Sequence, residues 1–339
     1  MKAGKLPADL LQRAVLGRVR SRRSETVVGA QLGEDAAVLD LGGDLVVAAS
    51  DPVTGAQEGA AGIAVHVAAN DIGAMGAEPV GLLVSALFPP DTDEESIART
   101  MGEVEAAAEQ LGVEVIGGHT EVTSTVTAPI LVVTAIGRVP RERLVRSSTC
   151  SPGDALILTK SAGLEGTAIL ATDHAARLAG LPPELIASAR AMAHSLSAVK
   201  DGLIAAAAGA SALHDVTEGG VLGASVELAA ASGHGVRVVR KQVPVAEATA
   251  AICRRLGLDP LKLISSGAML IASPTPERVL AALGKAGIPA AVIGSVISGP
   301  SCVVEESGEV TELSGPIEDE LWRFLASLED GPSSAEGTA

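Results

Sequence analysis

One long apolar run, GAAGIAVHVAANDIGAMGA at residues 59–77, dictates much of how this chain can pack. Its small and apolar residues predict a helix, and Asn70 and Asp71 lie inside that helix among apolar neighbours. A carboxylate bordering buried segments costs free energy unless something pairs with it. The fold must therefore supply Asp71 with a partner, unless Asp71 is simply a residue on the helix surface.

Two further aspartates border strand-like segments. Asp35 lies in GEDAAVLD just before a predicted strand, and Asp51 lies in AASDPVTG just after one. A hard divalent cation such as Mg²⁺ is one economical partner for such carboxylates, because it takes oxygen ligands from protein and from substrate phosphates. Ordinary turn residues at strand ends, or structural ion pairs, would also account for Asp35 and Asp51.

Charge and aromatic content exclude several classes of partner. Lys and Arg total 25 against 41 Asp and Glu, which gives a formal charge of −16, and aromatic residues make up 1% of the chain. Nucleic-acid binders need clustered cations or stacking rings, so we expect no nucleic acid and no anionic membrane as partner. No run resembles a membrane-spanning helix or a signal peptide. Three widely spaced cysteines predict reduced thiols and a cytoplasmic protein.

The length of 339 residues predicts two domains. Helix and strand patterns fill both halves, and the turn-rich segment RSSTCSPGD, residues 146–154, marks the boundary. We therefore predict an α+β chain with an N-terminal domain over 1–148, a C-terminal domain over 149–315 and a tail over 316–339. The tail is predicted to form a helix and then a disordered end after Leu328.

An Arg-rich stretch with Arg18, Arg20, Arg22 and Arg23 follows the first predicted helix. It has two interpretations, a solvated basic turn or a mobile arm that reaches a bound anion. Both stay open at this point.

The segment IGGHTEVT combines a glycine pair with polar side chains. Gly117 and Gly118 follow the strand-like VEVI and would let backbone N–H groups approach a ligand closely. His119, Thr120 and Glu121 place polar atoms beside that gap. A simple β-turn is the alternative for such a glycine pair.

The segment ALHDVTEGGVLGAS passes from a predicted strand to a predicted helix. Gly219 and Gly220 would expose the first amides of that helix, and such a helix start binds anions. Asp215 and Glu218 would bring the metal that bridges an anion to the protein. Alternatively, Thr217 is an N-cap and Glu218 a favourable acid in the first turn.

In this order, GEDAAVLD, Ser50-Asp51, NDIGAMGAEP, GGHTEV and HDVTEGGVLGA resemble the aminoimidazole-ribonucleotide synthetase (PurM-like) superfamily. The resemblance covers roughly residues 28–305, and HDVTEGG is most similar to the hydrogenase-maturation (HypE) branch. It implies an N-terminal α/β domain whose sheet joins that of a second subunit, and a C-terminal domain of sheet covered by helices. ATP and Mg²⁺ would lie in the cleft between domains, close to the interface of the homodimer.

The resemblance also implies roles for individual residues. The residues that would bind metal are Asp35, Asp51, Asp71 and Asp215. The residues that would contact ATP are Asp35, Asp51, Asn70, Asp71, Gly117, Gly118, Thr120, Arg146, Thr217 and Gly219. The residues with a catalytic role would be His119, Asp215 and Glu218.

The chain departs from several branches of this superfamily. Where thiamine-phosphate kinases have a metal-binding aspartate, it has His119, which would orient substrate, act as a base or only pack. No cysteine precedes Cys150, which argues against the selenophosphate synthetases. HypE proper modifies a C-terminal cysteine, whereas this sequence ends in SSAEGTA and its last cysteine is Cys302. We therefore expect no self-modification of such a thiol.

The function expected is an ATP- and Mg²⁺-dependent, HypE-like enzyme that activates an oxygen of a small-molecule or protein acceptor by phosphoryl transfer. One alternative is a small-molecule kinase or ligase of the same superfamily, similar to thiamine-monophosphate kinase. Another is an ATP-binding maturation factor without turnover. Because aromatic residues are so scarce, we expect adenine to lie between aliphatic side chains and backbone.

Overall fold

The computed structural model describes residues 5–20, 22–54, 56–313 and 315–329. Its α-helices are α1 (Ala8–Ala14), α2 (Ala60–Ala74), α3 (Glu94–Leu111), α4 (Leu164–Asp173), α5 (Pro183–Ala191), α6 (Val199–Ala207), α7 (Gly220–Ser232), α8 (Glu247–Leu256), α9 (Pro276–Lys285) and α10 (Glu320–Glu329). Its strands are β1 (Thr26–Val28), β2 (Ala37–Leu39), β3 (Leu45–Val53), β4 (Glu78–Phe88), β5 (Glu114–Val122), β6 (Ile130–Val139), β7 (Ala155–Thr159), β8 (Ala212–Val216), β9 (Gly235–Val239), β10 (Ala268–Ser273), β11 (Ala290–Ile297), β12 (Cys302–Glu306) and β13 (Glu309–Leu313).

The N-terminal half forms a six-stranded sheet in the order β1-β2-β3-β6-β4-β5. Only β4 and β5 run parallel, and the other neighbours are antiparallel. Side chains alternate along each strand, so one face of the sheet buries residues such as Val47, Val84 and Val133. Helices α2 and α3 pack together, and α2 covers this inner face, whereas the outer face has no helix packed on it among the described residues.

The C-terminal half forms a seven-stranded sheet in the order β13-β12-β9-β11-β7-β10-β8. Strands β7, β8 and β10 are almost entirely buried, which is typical of strands covered on both faces. Helix α10 belongs to this half, because Leu321 and Phe324 pack into the same apolar cluster as α4, α5 and α8. Asp319 caps that helix by accepting a hydrogen bond from the Leu321 N–H at 2.7 Å.

Helix α2 lies between the two halves and is buried on nearly all sides. It packs on β3 and β6, and it also contacts α6 and β8. The approach to α6 needs glycine at position 202, since a Cβ there would lie 2.2 Å from the carbonyl oxygen of Gly73. Asn70 fixes the same contact: its Nδ2 donates to the Leu196 carbonyl at 2.8 Å and its Oδ1 accepts from the Ala198 N–H at 2.6 Å. The apolar run therefore forms a central helix, and Asp71 is not on its surface.

Several predicted element ends differ from the observed ones. Asp51 lies inside β3 instead of after it, and the glycine pair 117–118 lies within β5, not in a turn at a strand end. Residues 140–154 separate the two sheets and contain the predicted boundary, whose position stays a prediction. The predicted tail helix is present as α10, whereas the predicted disordered end, from residue 330 on, lies outside the described residues. Among the described residues, we find no helix long and apolar enough to span a membrane.

Candidate functional site

Four aspartates distant in sequence meet where the two halves of the molecule join. Asp51 continues the inner face of β3 past Ala49, and α2 lies over that face with Asp71 directed toward it. Asp215, near the end of β8, and Asp35, from the loop before β2, complete the group. The structure thus brings together all four residues predicted to bind metal.

Burial and mutual repulsion govern the protonation of these acids. Burial raises the pKa of Asp71 well above its usual value, and the charges of Asp215, Asp51 and Asp35 raise it further. Asp51 also forms a hydrogen bond with Asp71, as expected for a carboxyl that keeps its proton. Burial and then the charge of Asp35 raise the pKa of Asp215 to about 7. Without a bound cation, Asp71 therefore favours its protonated form at neutral pH, and Asp215 titrates close to neutrality.

The chemistry of these groups fits a hard cation. Asp215 Oδ2 is fully buried and has no hydrogen-bond partner among the described residues. An unpaired carboxylate oxygen in the interior costs free energy, and a bound cation would remove that cost. Carboxylate oxygens are also the ligands that Mg²⁺ prefers. This orphaned oxygen, surrounded by three other acids, is the strongest sign of a ligand at the site.

His214 lies beside the aspartates but is engaged on both ring nitrogens. Its Nδ1 lies 2.5 Å from Asp35 Oδ1, and its Nε2 lies 3.1 Å from Glu227 Oε2. Burial alone would lower the pKa of His214, but Asp35 and Glu227 raise it well above its usual value. The ligand atoms of Asp35, His214 and Asp215 lie within 4.8 Å of one another, which is metal-like spacing. A protonated imidazole does not ligate metal, so His214 instead holds Asp35 in position.

Sequence reasoning missed His214 and Glu227. His214 directly precedes Asp215, so its position in the HDVTEGG string was a signal, but its burial was not evident. Glu227 belongs to α7 and gave no signal by itself.

Arg146 lies next to the acids through its neighbours in sequence. Its guanidinium pairs with Glu34 Oε1, with Nη2 at 2.7 Å and Nε at 3.0 Å. The adjacent Ser147 hydroxyl donates to Asp35 Oδ2 at 3.2 Å. The predicted ATP-contacting arginine is therefore beside the site, with Glu34 as its ionic partner.

The start of α7 differs from the predicted open anion site. The Gly219 N–H donates to Asp319 Oδ2 at 2.6 Å, and the Gly220 N–H donates to the Thr217 carbonyl at 3.0 Å. The helix N-cap is Gly219, not Thr217. These two amides are thus bound to protein groups, and the acids, more than this helix start, define the site.

Lys5 reaches the site from the N-terminal segment. Its Nζ lies 3.1 Å from both Glu227 Oε1 and Thr217 Oγ1, and its backbone N–H donates to Glu218 Oε2 at 2.9 Å. Burial opposes the charged form of Lys5, yet Glu227 and Asp215 raise its pKa. A basic residue of the N-terminal segment, Lys5, thus lies at the site. In the Arg-rich stretch, Arg23 pairs with Glu25, and a role of this stretch in binding an anion stays a prediction.

Strand β5 carries the predicted GGHTE motif, and this motif lies away from the four aspartates of the same chain. Asp51, Val133, Val84 and Gly118 form one cross-strand row, so Gly118 lies three strands from Asp51. Gly118 has φ of 148°, and a Cβ there would lie 1.9 Å from the Val84 carbonyl oxygen. Close packing of β5 on β4 therefore requires glycine at this position.

His119 and Thr120 are exposed near the edge of the sheet. His119 pairs in register with Ser85, on the outer face, and its Nε2 lies 3.6 Å from Glu121 Oε2. Gly117 shares that outer row with Leu83, while Thr120 pairs with Ala86. The structure thus does not bring His119 to Asp35, Asp51, Asp71 and Asp215, the acid cluster, of its own chain.

Comparison with known proteins gives a consistent result. The family models for the N-terminal and C-terminal domains of AIR synthase related protein match residues 33–139 and 151–306. Carbamoyl dehydratase HypE of Rhizobium leguminosarum bv. viciae is 34% identical over 253 residues, which cover 72% of this chain and 69% of the relative.

Solved structures agree with the family match. The crystal structure of E. coli HypE, a hydrogenase maturation protein, has a TM-score of 0.72 at 25% identity and covers 86% of this chain and 93% of its own. The structure of a hydrogenase maturation protein HypE in complex with ATP has a TM-score of 0.66 at 23% identity, covering 93% and 96%. At 23% identity, the similarity to the ATP complex shows only that the fold is shared.

Proposed function

The chain belongs to the AIR synthase related family, and we propose that it is an ATP- and Mg²⁺-dependent enzyme of hydrogenase maturation. Its two-domain, PurM-like α+β fold is the one predicted from the sequence. The observation that carries the proposal is Asp215 Oδ2, which lies buried among aspartates and has no hydrogen-bond partner in the described part of the chain. A cation bound there would let an anionic nucleotide approach these carboxylates. The similarity to a carbamoyl dehydratase supports the choice of pathway.

Asp35, Asp51, Asp71 and Asp215 would hold Mg²⁺, and the ion would neutralise the phosphates during phosphoryl transfer. Asp71 and Asp215 would release their protons as the cation binds, since the cation replaces the proton as the partner of the buried charge. His214 keeps Asp35 oriented, and Lys5 and Arg146 supply positive charge beside the anion.

The proposed reaction transfers the γ-phosphoryl group of ATP to an oxygen of the acceptor. That oxygen then leaves together with the phosphoryl group as inorganic phosphate. With a carbamoyl group, this removes the oxygen as phosphate and two protons from the nitrogen, leaving a nitrile. Glu218 lies beside Thr217 and Lys5 at the rim of the acid cluster, and we propose it as the group that accepts a proton from the acceptor. His119 would contribute only across a subunit interface.

The family's homodimer is also proposed for this chain. The outer face of the six-stranded sheet exposes apolar side chains in the adjacent strands β4 and β5, among them Val80, Leu83 and Ile116. A second copy seated on this face would cover them and would bring His119 toward a neighbouring subunit. The substitution Leu83→Asp should shift sedimentation toward the monomer, whereas the exposed-turn variant Asp44→Lys should not.

We also propose a cytoplasmic location, supported by three free, buried cysteines.

Isothermal titration with ATP, with and without Mg²⁺, tests the nucleotide site. We expect binding only with Mg²⁺ and an affinity reduced about tenfold or more in Asp215→Asn, because the variant loses a charged ligand. Asp44→Asn, an exposed aspartate in the turn before β3, serves as control. Unchanged affinity in Asp215→Asn would contradict the metal assignment.

Product analysis separates the activities. ATP supplied with a carbamoylated thiol peptide should yield ADP, phosphate and a thiocyanate. Phosphorylated acceptor as the only product would favour the alternative kinase or ligase. Tight ATP binding without ADP under all acceptors would favour a maturation factor without turnover.

A further inference from the structure

Glu227 of helix α7 links the N-terminal segment to the acid cluster. Its Oε1 lies 3.1 Å from Lys5 Nζ, and its Oε2 lies 3.1 Å from His214 Nε2. The two oxygens of one carboxylate therefore have different partners, one from the start of the chain and one from β8. Neither the proposed metal site nor the proposed reaction uses Glu227 directly.

On the N-terminal side, Glu227 anchors a segment that has few other attachments. In the part of the chain that the structure describes, the hydrogen bonds between residues 5–20 and later residues all come from Lys5. Helix α1 buries no side chain, and its main neighbour is the 3₁₀ turn Leu16–Arg18 that follows it. Lys5 Nζ contacts Thr217 and Glu227, and of these two only Glu227 is charged. Glu227 is therefore the ionic anchor of this segment.

On the interior side, Glu227 and Asp35 hold the two ring nitrogens of His214. The His214 side chain is 5% exposed, and its Nδ1 lies 2.5 Å from Asp35 Oδ1. With a carboxylate oxygen at each nitrogen, the orientation of the ring is fixed, because both N–H groups then find an acceptor. Asp35 Oδ2 accepts a longer hydrogen bond, from the Ser147 hydroxyl at 3.2 Å. Oδ2 is therefore the freer oxygen of Asp35 and the one that would ligate a cation.

The charge of Glu227 matters most once a cation binds. A cation on Asp35 offsets the negative charge that faces His214, and it repels the positively charged ring. Glu227 keeps a negative charge at the opposite ring nitrogen, which counteracts that repulsion. In metal sites, a partner that orients a ligand without touching the metal typically contributes about tenfold or more to metal affinity. Glu227 is placed to act in this way.

We propose that Glu227 is a positioning residue that couples the N-terminal segment to the metal ligand Asp35, an inference that rests on the proposed function. One carboxylate oxygen keeps Lys5 beside the site, and the other keeps His214 against Asp35. The Lys5 side chain is half exposed, and an ion pair in such a position is weak, so the anchor opens readily. The orientation of the buried His214 is the stronger of the two effects.

Calorimetry with Mg²⁺-ATP tests the interior contact. Glu227→Gln keeps the shape of the side chain but removes its charge, and it should weaken binding about tenfold. Glu247→Gln, which changes an exposed glutamate at the start of α8, is the matched control and should leave the affinity unchanged. Thermal unfolding shows whether both variants fold. A residue that merely stabilised α7 would lower the melting temperature without changing the affinity.

A double variant shows whether Glu227 acts through Asp35. Because the two residues would share one effect, Glu227→Gln should weaken Mg²⁺-ATP binding less than about twofold when Asp35→Asn is already present. A further loss of about tenfold in that background would overturn the coupling, because independent effects multiply.

Limited proteolysis tests the anchor without metal or nucleotide. Trypsin cleaves after Lys5 only when that side chain leaves Glu227, so with a chelator Glu227→Gln should be cut there about threefold faster than the unaltered chain. Mass spectrometry identifies the cut, and Glu247→Gln should be cut at the rate of the unaltered chain. Equal rates in Glu227→Gln and Glu247→Gln would overturn the anchoring role.

Calorimetry on the unaltered chain separates the two proposals. If this chain binds Mg²⁺-ATP and Glu227→Gln binds it equally well, only the role of Glu227 is overturned. If the unaltered chain does not bind Mg²⁺-ATP, the proposed function is overturned, and the coupling to Asp35 with it.

Discussion

The acid cluster and strand β5 both come from motifs that were predicted to be functional. The cluster is largely buried, whereas the motif in β5 is exposed. The cluster joins both halves of the molecule, and its aspartates are mutually repelling, with Asp71 and Asp215 buried. Strand β5 is an exposed edge of one sheet, where His119 is 69% exposed and pairs loosely with Glu121.

The contrast separates two uses of unusual residues. Acids buried together have no explanation in packing, because burial of like charges costs free energy. The glycine at 118 has a sufficient explanation in packing, because the Val84 backbone occupies the place of a side chain. Function is therefore inferred more safely from the first feature than from the second.

The largest expected effect tests whether Gly118 is required for the packing of β5 on β4. Gly118→Ala should destabilise the fold by about 3 kcal/mol, because its Cβ would overlap the Val84 carbonyl and its φ is unfavourable for alanine. Gly117→Ala is the matched control, with a Cβ 3.3 Å from the mobile end of Leu83 and an expected cost of about 0.5 kcal/mol. Urea denaturation measures both. Wild-type stability of Gly118→Ala combined with lost ATP binding would instead assign the glycine to the nucleotide.

The next effect addresses the acid cluster. Asp71→Asn should weaken Mg²⁺-ATP binding about tenfold or more, because it removes a charged ligand. It should also raise the melting temperature of the metal-free protein, because the fold no longer has to keep a carboxyl protonated far above its ordinary pKa. Calorimetry and thermal unfolding give the two readouts, with Asp44→Asn as control. A purely structural Asp71 would show a lower melting temperature and no change in affinity.

The pH dependence of stability has an unusual sign. In the fold, Asp215 binds a proton up to a pKa of about 7, whereas in the unfolded chain it releases it near 3.8. The free energy of unfolding should therefore fall as pH rises through this window, by more than about 1 kcal/mol. His214 acts in the same direction above 6.5, because its raised pKa lets only the folded state keep the proton.

Urea titrations at pH 5 and pH 8 in the presence of a chelator measure this effect. Mg²⁺ should restore stability at pH 8 more than at pH 5, and Asp215→Asn should reduce the slope. Glu165 and Asp319 also have pKa values raised by burial to about 7, so some dependence should persist in that variant. Stability that rises with pH without metal would contradict the account of the cluster.

The smallest effect concerns His119. His119→Gln should change Mg²⁺-ATP affinity less than about twofold, because the side chain lies on the outer face of the sheet, away from Asp51. If turnover nevertheless falls in the assembled protein but not in a Leu83→Asp monomer, His119 acts across the interface. A tenfold loss of affinity in that monomer would place His119 in the site of its own chain.

Much of the fold was predictable because local signals and packing agree. The central helix, most strands of both sheets and the tail helix follow from apolar periodicity, and the boundary was predicted at a turn-rich segment between the sheets. The short edge strands β1 and β13 were not predicted. Strand ends were less predictable: the sheet extended β3 over Asp51 and β5 over the glycine pair, because pairing with β6 and β4 continues there. The four predicted metal-binding aspartates do meet, but Lys5, His214 and Glu227 were not foreseen.

The sequence by itself determined that an apolar central helix carries Asn70 and Asp71, that acids outnumber bases and that glycines mark close approaches. Tertiary structure alone decided which acids share a site, since Asp35 and Asp215 lie in different halves of the chain. It also decided that Asn70 forms hydrogen bonds with the backbone of Leu196 and Ala198, and that His119 lies on the outer face of the sheet. The physical reason is that residue type fixes what a group needs, whereas burial and charge at a point in space depend on every segment that packs there.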